Sequence, residues 1–403
     1  MSETIKITTE ETDREDDRFH RFSLISWWDQ DRIKNAKVLV VGAGALGNEI
    51  LKNLALLGVG NVLVADLDKI ENSNLSRSVL YRAGDNGKSK AATAAARAKE
   101  IYPDMNVHYF DGNIVYDLGT GAYRWADVII GGLDNREARL SINRNCWRVG
   151  RPWVDGAIEK IDGVARVFDP AVHSDGPCYE CTMSEIDWQL LNKRRSCNLL
   201  TRDEMQGGKT PTTPTISSII AGIQCQEAIK LLHNMESIAG KGFVFNGTTC
   251  DSYLIEYSAN EDCMSHDPPE EIIALPKRSD EMTVAELFAL ATERLGEGAE
   301  LEFGRDILEK LVCPHCNAEE EVFASLGKVR LSQGVCPKCE KDREVKTFYM
   351  VRRDASFMDK TFAQIGVPKF DIVWARNQAT LVGFEFASDA PDVLDSLYQP
   401  SKE

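Results

Sequence analysis

The sequence predicts a doubly wound, mostly parallel α/β sheet followed by a smaller α+β domain. Three observations lead there. Short β-branched runs alternate with helical stretches through the first part of the chain, as βαβ units require. A glycine turn joins the first such run to the first long helical stretch. Beyond a proline- and charge-rich stretch that starts at Glu261, the pattern changes to one amphipathic helix, short strands and two C-x-x-C pairs. A chain of 403 residues exceeds one ordinary core, so two folding units are expected.

Taken in order, the polar start 1–17 reads as a disordered tail. Lys37-Val-Leu-Val-Val-Gly reads as a strand and turn, followed by an Ala/Leu/Ile-rich helix through Leu57. Asn61 to Asp66 is a second strand, Lys88 to Ile101 an Ala-rich helix, and Val107-His-Tyr-Phe and Ala126-Asp-Val-Ile-Ile-Gly-Gly are further strands. Pro152 to Asp169 reads as a strand pair punctuated by Gly156 and Gly163. The segment 182–213 is polar and loop-like, and Pro214 opens a long helix to His233, a place where proline is tolerated. These elements make one domain over 18–267. A linker is expected at 268–280 and a second domain at 281–403, with a helix over Thr283–Leu295 and strands at Lys346–Arg352 and Phe370–Trp374.

Composition narrows the function. With 43% hydrophobic and 27% charged residues the chain is globular. A net charge of -16 argues against nucleic acid as the main partner, because phosphate backbones need a cationic footprint. No apolar signal region and no membrane-spanning run is visible, so no membrane association and a cytoplasmic location are expected. In that compartment the 11 cysteines read as metal ligands before disulfides.

Gly42-Ala-Gly44-Ala-Leu-Gly47 follows a strand and opens a helix, the Rossmann-like context in which backbone amides cradle phosphate. By itself the motif does not choose between NAD, FAD and ATP. Asp66 ends the next strand, where a carboxylate accepts hydrogen bonds from a ribose. The run Asp66-Leu-Asp68-Lys-Ile-Glu-Asn-Ser-Asn74-Leu-Ser-Arg77, with Lys88-Ser-Lys90 after it, mixes carboxylates and fixed cations. Each charge alone is an ordinary solvated residue. Together they suit triphosphate chemistry better than hydride transfer. Asp134, in Gly131-Gly-Leu-Asp134-Asn135, falls at the carboxyl edge of the sheet, where it suits Mg²⁺ or a water bound to it.

Cys178-Tyr-Glu-Cys181 finds its matching spacing in Cys263-Met-Ser-His266, giving a Cys₃His set for structural zinc; the alternative is buried thiols and a surface histidine. Cys313-Pro-His-Cys316 and Cys336-Pro-Lys-Cys339 have zinc-ribbon spacing and predict a second, closed site, with His315 a bystander. Cys197 stands apart in Lys193-Arg-Arg-Ser-Cys197. The adjacent cations favour its thiolate, as a thioester-forming nucleophile requires, while the plain alternative is a loop cysteine on a solvated basic face. Cys146 and Cys225 read as core residues, and Cys250 as a strand or turn thiol.

From Arg18 to Asp267 the chain resembles the ubiquitin-activating superfamily, which includes bacterial enzymes that adenylate sulfur carriers for molybdopterin and thiamine synthesis. The resemblance rests on the three glycines, Asp66-Leu-Asp68, Ser73-Asn74-Leu-Ser-Arg77, Gly87-Lys-Ser-Lys90 and Leu133-Asp134-Asn135, in family order. It implies that Asp66 holds the ribose, that Asn74, Arg77 and Lys90 contact the phosphates of ATP, and that Asp134 serves Mg²⁺. Arg18-Phe-His-Arg21 is similar to a family segment whose last arginine reaches the partner subunit's phosphates, which implies a homodimer with Arg21 acting in trans. Phe22 and Ser78 stand where the family commonly has glutamine. The resemblance also places a catalytic cysteine in the crossover segment before Pro214-Thr-Ile-Ser-Ser-Ile-Ile-Ala-Gly222, which favours Cys197.

Residues 281 to about 395, with Thr361 to Val373, resemble more weakly a β-grasp, ubiquitin-fold domain that recruits a conjugating enzyme. The expected function is therefore ATP-dependent adenylation of a ubiquitin-like protein's C-terminal glycine, thioester formation on Cys197 and transfer to a conjugating enzyme. The alternative within the family is a sulfur-carrier adenylyltransferase in which the cysteine plays no covalent part. Outside it stand an NAD-dependent oxidoreductase, for which no hydride-site acid or base is visible, and a non-catalytic zinc-ribbon binding module.

Overall fold

In the computed structural model, residues 17–172, 174–189, 211–329 and 331–387 are described. Two short helices, α1 (His20–Ser23) and α2 (Gln30–Asn35), lead into β1 (Lys37–Val41), α3 (Ala45–Leu57), β2 (Asn61–Asp66), α4 (Lys90–Ile101) and β3 (Asn106–Asp111). Then follow α5 (Thr120–Trp125), β4 (Val128–Gly131), α6 (Arg136–Val149), β5 (Trp153–Glu159), β6 (Asp162–Phe168), α7 (Pro214–Leu232), β7 (Lys241–Asn246) and β8 (Asp251–Glu256). The sheet order is β3-β2-β1-β4-β5-β6-β7-β8, parallel from β3 to β5 and antiparallel beyond. The order reverses beside β1, and the β1–α3 turn lies there, where an open α/β sheet binds its ligand.

Central strands read as continuous apolar runs because both faces are covered. Val38 and Val40 of β1 join one core with α3, α4 and α7, while Leu39 and Val41 join the other with α5 and α6. Helix ends are set locally. Asn135 accepts from the Ala138 amide at 2.8 Å to start α6, and Gly150, at φ 64°, ends it. On α7, Ile216, Ile220 and Ala228 are buried, whereas Ile219 faces solvent.

The second domain has β9 (Glu271–Ala274), α8 (Val284–Leu295), β10 (Glu300–Val312), β11 (Glu319–Ser325), β12 (Glu344–Val351), β13 (Ile372–Asn377) and β14 (Thr380–Glu385). Its sheet runs β11-β10-β13-β14-β9, with β12 also on β10. The stretch expected to be a linker thus supplies β9, which pairs in parallel with β14. One strand, with no hairpin among the described residues, precedes the helix. The domain is α+β as expected, with a mixed sheet that differs in this respect from a β-grasp start. α8 opens with a capping box in which Thr283 and Glu286 satisfy each other's amides.

The two domains are joined by more than the chain. Buried Arg305 donates to the Tyr116 carbonyl at 2.9 Å and to Asp371 at 2.8 Å, and the other Asp371 oxygen accepts from the Thr120 amide at 2.7 Å. Gly119 approaches so closely that a Cβ would stand 1.7 Å from the Phe370 carbonyl oxygen. Phe370 itself packs into the α5–α6 core. Farther along α6, Arg148 pairs with Glu302 at 2.8 Å and lies over the Trp374 ring, and Arg376 pairs with Glu302 and Asp267.

Breaking a buried pair strands a charge, so Arg305→Met alone is expected to cost about 3–5 kcal/mol in urea unfolding. Adding Asp371→Asn to Arg305→Met should recover part of that loss, because the uncharged side-chain oxygen can still accept from the Thr120 amide.

Candidate nucleotide site and metal centres

The glycine turn is built from backbone packed on backbone. Gly42 has φ 94°, and a Cβ there would meet the Gly132 carbonyl oxygen at 2.6 Å. A Cβ on Gly47 would meet the Gly42 carbonyl oxygen at 1.9 Å. Gly44 differs, since nothing lies within 4 Å of its added Cβ. The first and third glycines therefore close the turn, and the second faces open space at the N-terminus of α3, where a phosphate would sit. Two side chains hold the turn from behind. Asn48 donates to the Ala43 and Gly44 carbonyls at 2.7 and 2.9 Å, and Tyr81 donates to the Ala43 carbonyl at 2.6 Å.

Asp66 joins this turn to the next strand. One carboxylate oxygen accepts from the Ala43 amide and the other from the Asp68 amide, both at 2.7 Å. Burial pushes its pKa up to about 6, against the pull of Lys90. Lys90 donates to Asp68 at 2.9 Å. Burial opposes the Lys90 charge, but Asp66, Asp68 and Asp134 together outweigh it and raise its pKa. Lys90 is thus a firmly protonated cation within the field of three carboxylates. Arg77 donates to the Ser73 carbonyl at 2.7 Å, and the Asn74 side-chain oxygen accepts from the Glu71 amide at 2.9 Å.

Asp134 is exposed at the end of β4, just before the Asn135 cap. Beneath it lies an ion triad. Asp155 of β5, fully buried, accepts from Arg139 Nε at 3.0 Å and pairs with Arg166 at 2.9 Å. Arg139 also donates to the Leu133 carbonyl and to the Gly156 carbonyl, the latter at 3.1 Å. These residues escape sequence reasoning, as do Asn48 and Tyr81. The available signal was an asparagine in the otherwise apolar start of α3 and an aspartate inside a core strand.

Both predicted cysteine clusters assemble. Cys178 Sγ lies 3.5 Å from Cys263 Sγ and 3.7 Å from Cys181 Sγ, and His266 Nε2 lies 3.7 Å from Cys181 Sγ. Zinc–thiolate bonds of about 2.3 Å in a tetrahedron put sulfurs about 3.8 Å apart, so the first set fits Zn²⁺. Trp147 stacks on His266 at 4.7 Å and fixes its ring. In the second set, Cys313 and Cys339 are 3.4 Å apart and Cys316 and Cys336 3.6 Å, all four gathered where β10 ends. His315 is not part of it. Four protein ligands would leave a bound metal no open position at either site, the arrangement of a structural centre. Cys146 and Cys225 are buried, as expected, and Cys250 sits exposed in the β7–β8 turn.

Not every predicted residue is near the turn. Arg21 is exposed on α1, whose neighbour Phe19 packs on Tyr102 and against Gly58. Those two residues end α4 and α3, the helices whose starts carry Lys90 and the glycine turn. The 12 residues of α4 span about 18 Å, beyond an arginine's reach. Cys197 lies outside the described residues.

A doubly wound sheet with an open glycine turn, a carboxylate-flanked lysine and two cysteine-rich sets fit to hold metal defines a nucleotide-binding α/β class of protein. Residues 17–265 match the ThiF family, and the chain belongs to it. The chain is 37% identical over 175 residues to "Sulfur carrier protein adenylyltransferase" of Thermus thermophilus, covering 42% of this chain and 65% of that one. It is 31% identical over 245 residues to "SAMP-activating enzyme E1" of Haloferax volcanii, covering 58% and 81%. It is 43% identical over 167 residues to "NEDD8-activating enzyme E1 catalytic subunit" of Dictyostelium discoideum, covering 38% and 37%. The chain therefore spans less than two thirds of the first and third of these relatives. Among solved structures, E. coli MccB with ATP aligns at TM-score 0.51 and 22% identity, over 62% of this chain and 74% of that one, a likeness of fold. No helix among the described residues is long and apolar enough to cross a membrane.

Gly47→Ala is expected to abolish folding or nucleotide binding, whereas Gly44→Ala should fold normally by circular dichroism and weaken ATP binding in calorimetry. Elemental analysis should find two zinc ions per chain, and Cys339→Ser should lower that to one.

Proposed function

We propose that this chain is an activating enzyme that adenylates the C-terminal glycine carboxylate of a ubiquitin-like protein. The observation that carries the reading is the group at the open glycine turn: half-buried Asp66, the Lys90–Asp68 pair and Asp134 around one space. Asp66 suits the ribose hydroxyls, the α3 amides with Asn74, Arg77 and Lys90 suit the phosphates, and Asp134 suits Mg²⁺. Bound Mg²⁺ would neutralise charge developing on the leaving pyrophosphate.

A carboxylate oxygen of the partner attacks the α-phosphorus and displaces pyrophosphate, leaving an acyl-adenylate. The chain's own part is positioning and charge complementarity, since no covalent step on the protein is needed here. Cys197 thiolate then attacks the acyl carbon and expels AMP, giving a thioester. A conjugating enzyme recruited by the second domain accepts the acyl group on its own thiol. The distance of Arg21 from its own turn favours a homodimer in which each arginine serves the other protomer. We place the protein in the cytoplasm.

A relative named as a sulfur-carrier adenylyltransferase favours a second reading, in which the acyl-adenylate is the product delivered and Cys197 has no covalent role. Incubation with Mg·ATP and a candidate ubiquitin-like protein, followed by non-reducing electrophoresis and intact mass, separates the two. A thiol-sensitive adduct absent from Cys197→Ala is expected. Pyrophosphate release without any adduct would establish the second reading instead.

A further inference from the structure

We propose that Asp155 is a positioning residue for Asp134, acting through the Arg139 guanidinium. The inference rests on the reading of Asp134 as the Mg²⁺ carboxylate. Asp155 touches neither the glycine turn nor the open space before it. One of its oxygens accepts from Arg139 Nε at 3.0 Å, and the other is ion-paired with Arg166 at 2.9 Å without a well-directed hydrogen bond. Held this way, Arg139 directs Nη2 toward both the Leu133 and the Gly156 carbonyls. Leu133 is the residue before Asp134.

The loop carrying Asp134 is thereby fixed on both sides. Gly132 donates to the Val41 carbonyl at 2.8 Å, Arg139 grips Leu133, and Asn135 caps α6 at the Ala138 amide at 2.8 Å. Asp134 itself is exposed between the half-buried Leu133 and Asn135. A buried triad of this kind adds little stability compared with an apolar core of the same volume. Its gain is direction: a planar fork spans Asp155, Leu133 and Gly156 at once, which a lysine's single ammonium does not. The triad also has one net positive charge, and Arg139 and Asp134 lie within each other's field. The backbone on either side of Asp134 is thereby held in place by Arg139 and by the Asn135 cap.

The test is equilibrium dialysis of labelled ATP against the full chain over a series of Mg²⁺ concentrations. Two variants are compared with wild type: Arg139→Lys, and the charge-balanced Asp155→Asn with Arg166→Gln, which leaves one net charge in place. Both are expected to need about tenfold more Mg²⁺ for half-maximal binding, with ATP affinity at saturating Mg²⁺ within about twofold of wild type. Asp134→Ala serves as the reference. If it shifts the Mg²⁺ curve and the two variants do not, the positioning role is overturned while the metal reading stands. If Asp134→Ala leaves the curve unmoved, the metal reading falls and the positioning role with it. Loss of the near-ultraviolet circular dichroism signal in both variants also overturns the proposal, because the triad would then serve the fold and not the loop.

Discussion

The nucleotide end of this molecule depends on a contact that excludes side chains. At the β1–α3 corner, Gly42 and Gly47 pack against each other, and Gly42 also packs on Gly132 at the end of β4, with separations that a single added methyl would violate. Two neighbouring strands and one helix start are thereby brought closer than any other residue permits. The α3 amides are aimed outward as a result, and the carboxyl ends of β1, β2 and β4 converge. Asp66 and Asp134 hang on these ends, and Lys90, at the start of α4, is tied to them through Asp68.

Charge around the corner is arranged in two layers. At the surface, one lysine stands among three carboxylates and is kept protonated by them. Below it, one carboxylate stands between two arginines. The outer layer suits a polyanion brought in with its metal, and the inner layer orients the loop that presents Asp134. The same sheet continues as antiparallel strands toward the first cysteine cluster, where Glu180 pairs with Arg144 at 3.0 Å and Cys178 joins the core on which α6 packs. Metal site and nucleotide site thus share α6 as a common support.

Much of this was legible in the chain because it is encoded by short spacings. The glycine turn, Asp66, Lys90 and the C-x-x-C pairs each declare themselves within a few residues, and the ribbon cysteines assemble as read. The buried triad did not, because Arg139, Asp155 and Arg166 come from three elements and each looks ordinary in its own neighbourhood. β7 carries a glycine and an exposed partner strand, so its alternation is faint. In β10 a register shift between Leu308 and Lys310 breaks the period on which a strand assignment rests. β9 is a pair of isoleucines among charges, and only its pairing with β14 makes it a strand.

The docking of the second domain has a consequence for how the chain can be divided. His266 belongs to the first cysteine cluster, and the next residue, Asp267, already pairs with Arg376 of the second domain. A cut at that boundary would leave Arg148 without Glu302 and Arg124 without Glu385, and would uncover the core that receives Phe370. Cut there, the N-terminal part would carry unpaired arginines and bared apolar surface on that side. A macromolecule gripping the ribbon end would be held at a set bearing to the nucleotide corner, as if on a fixed arm and not on a tether.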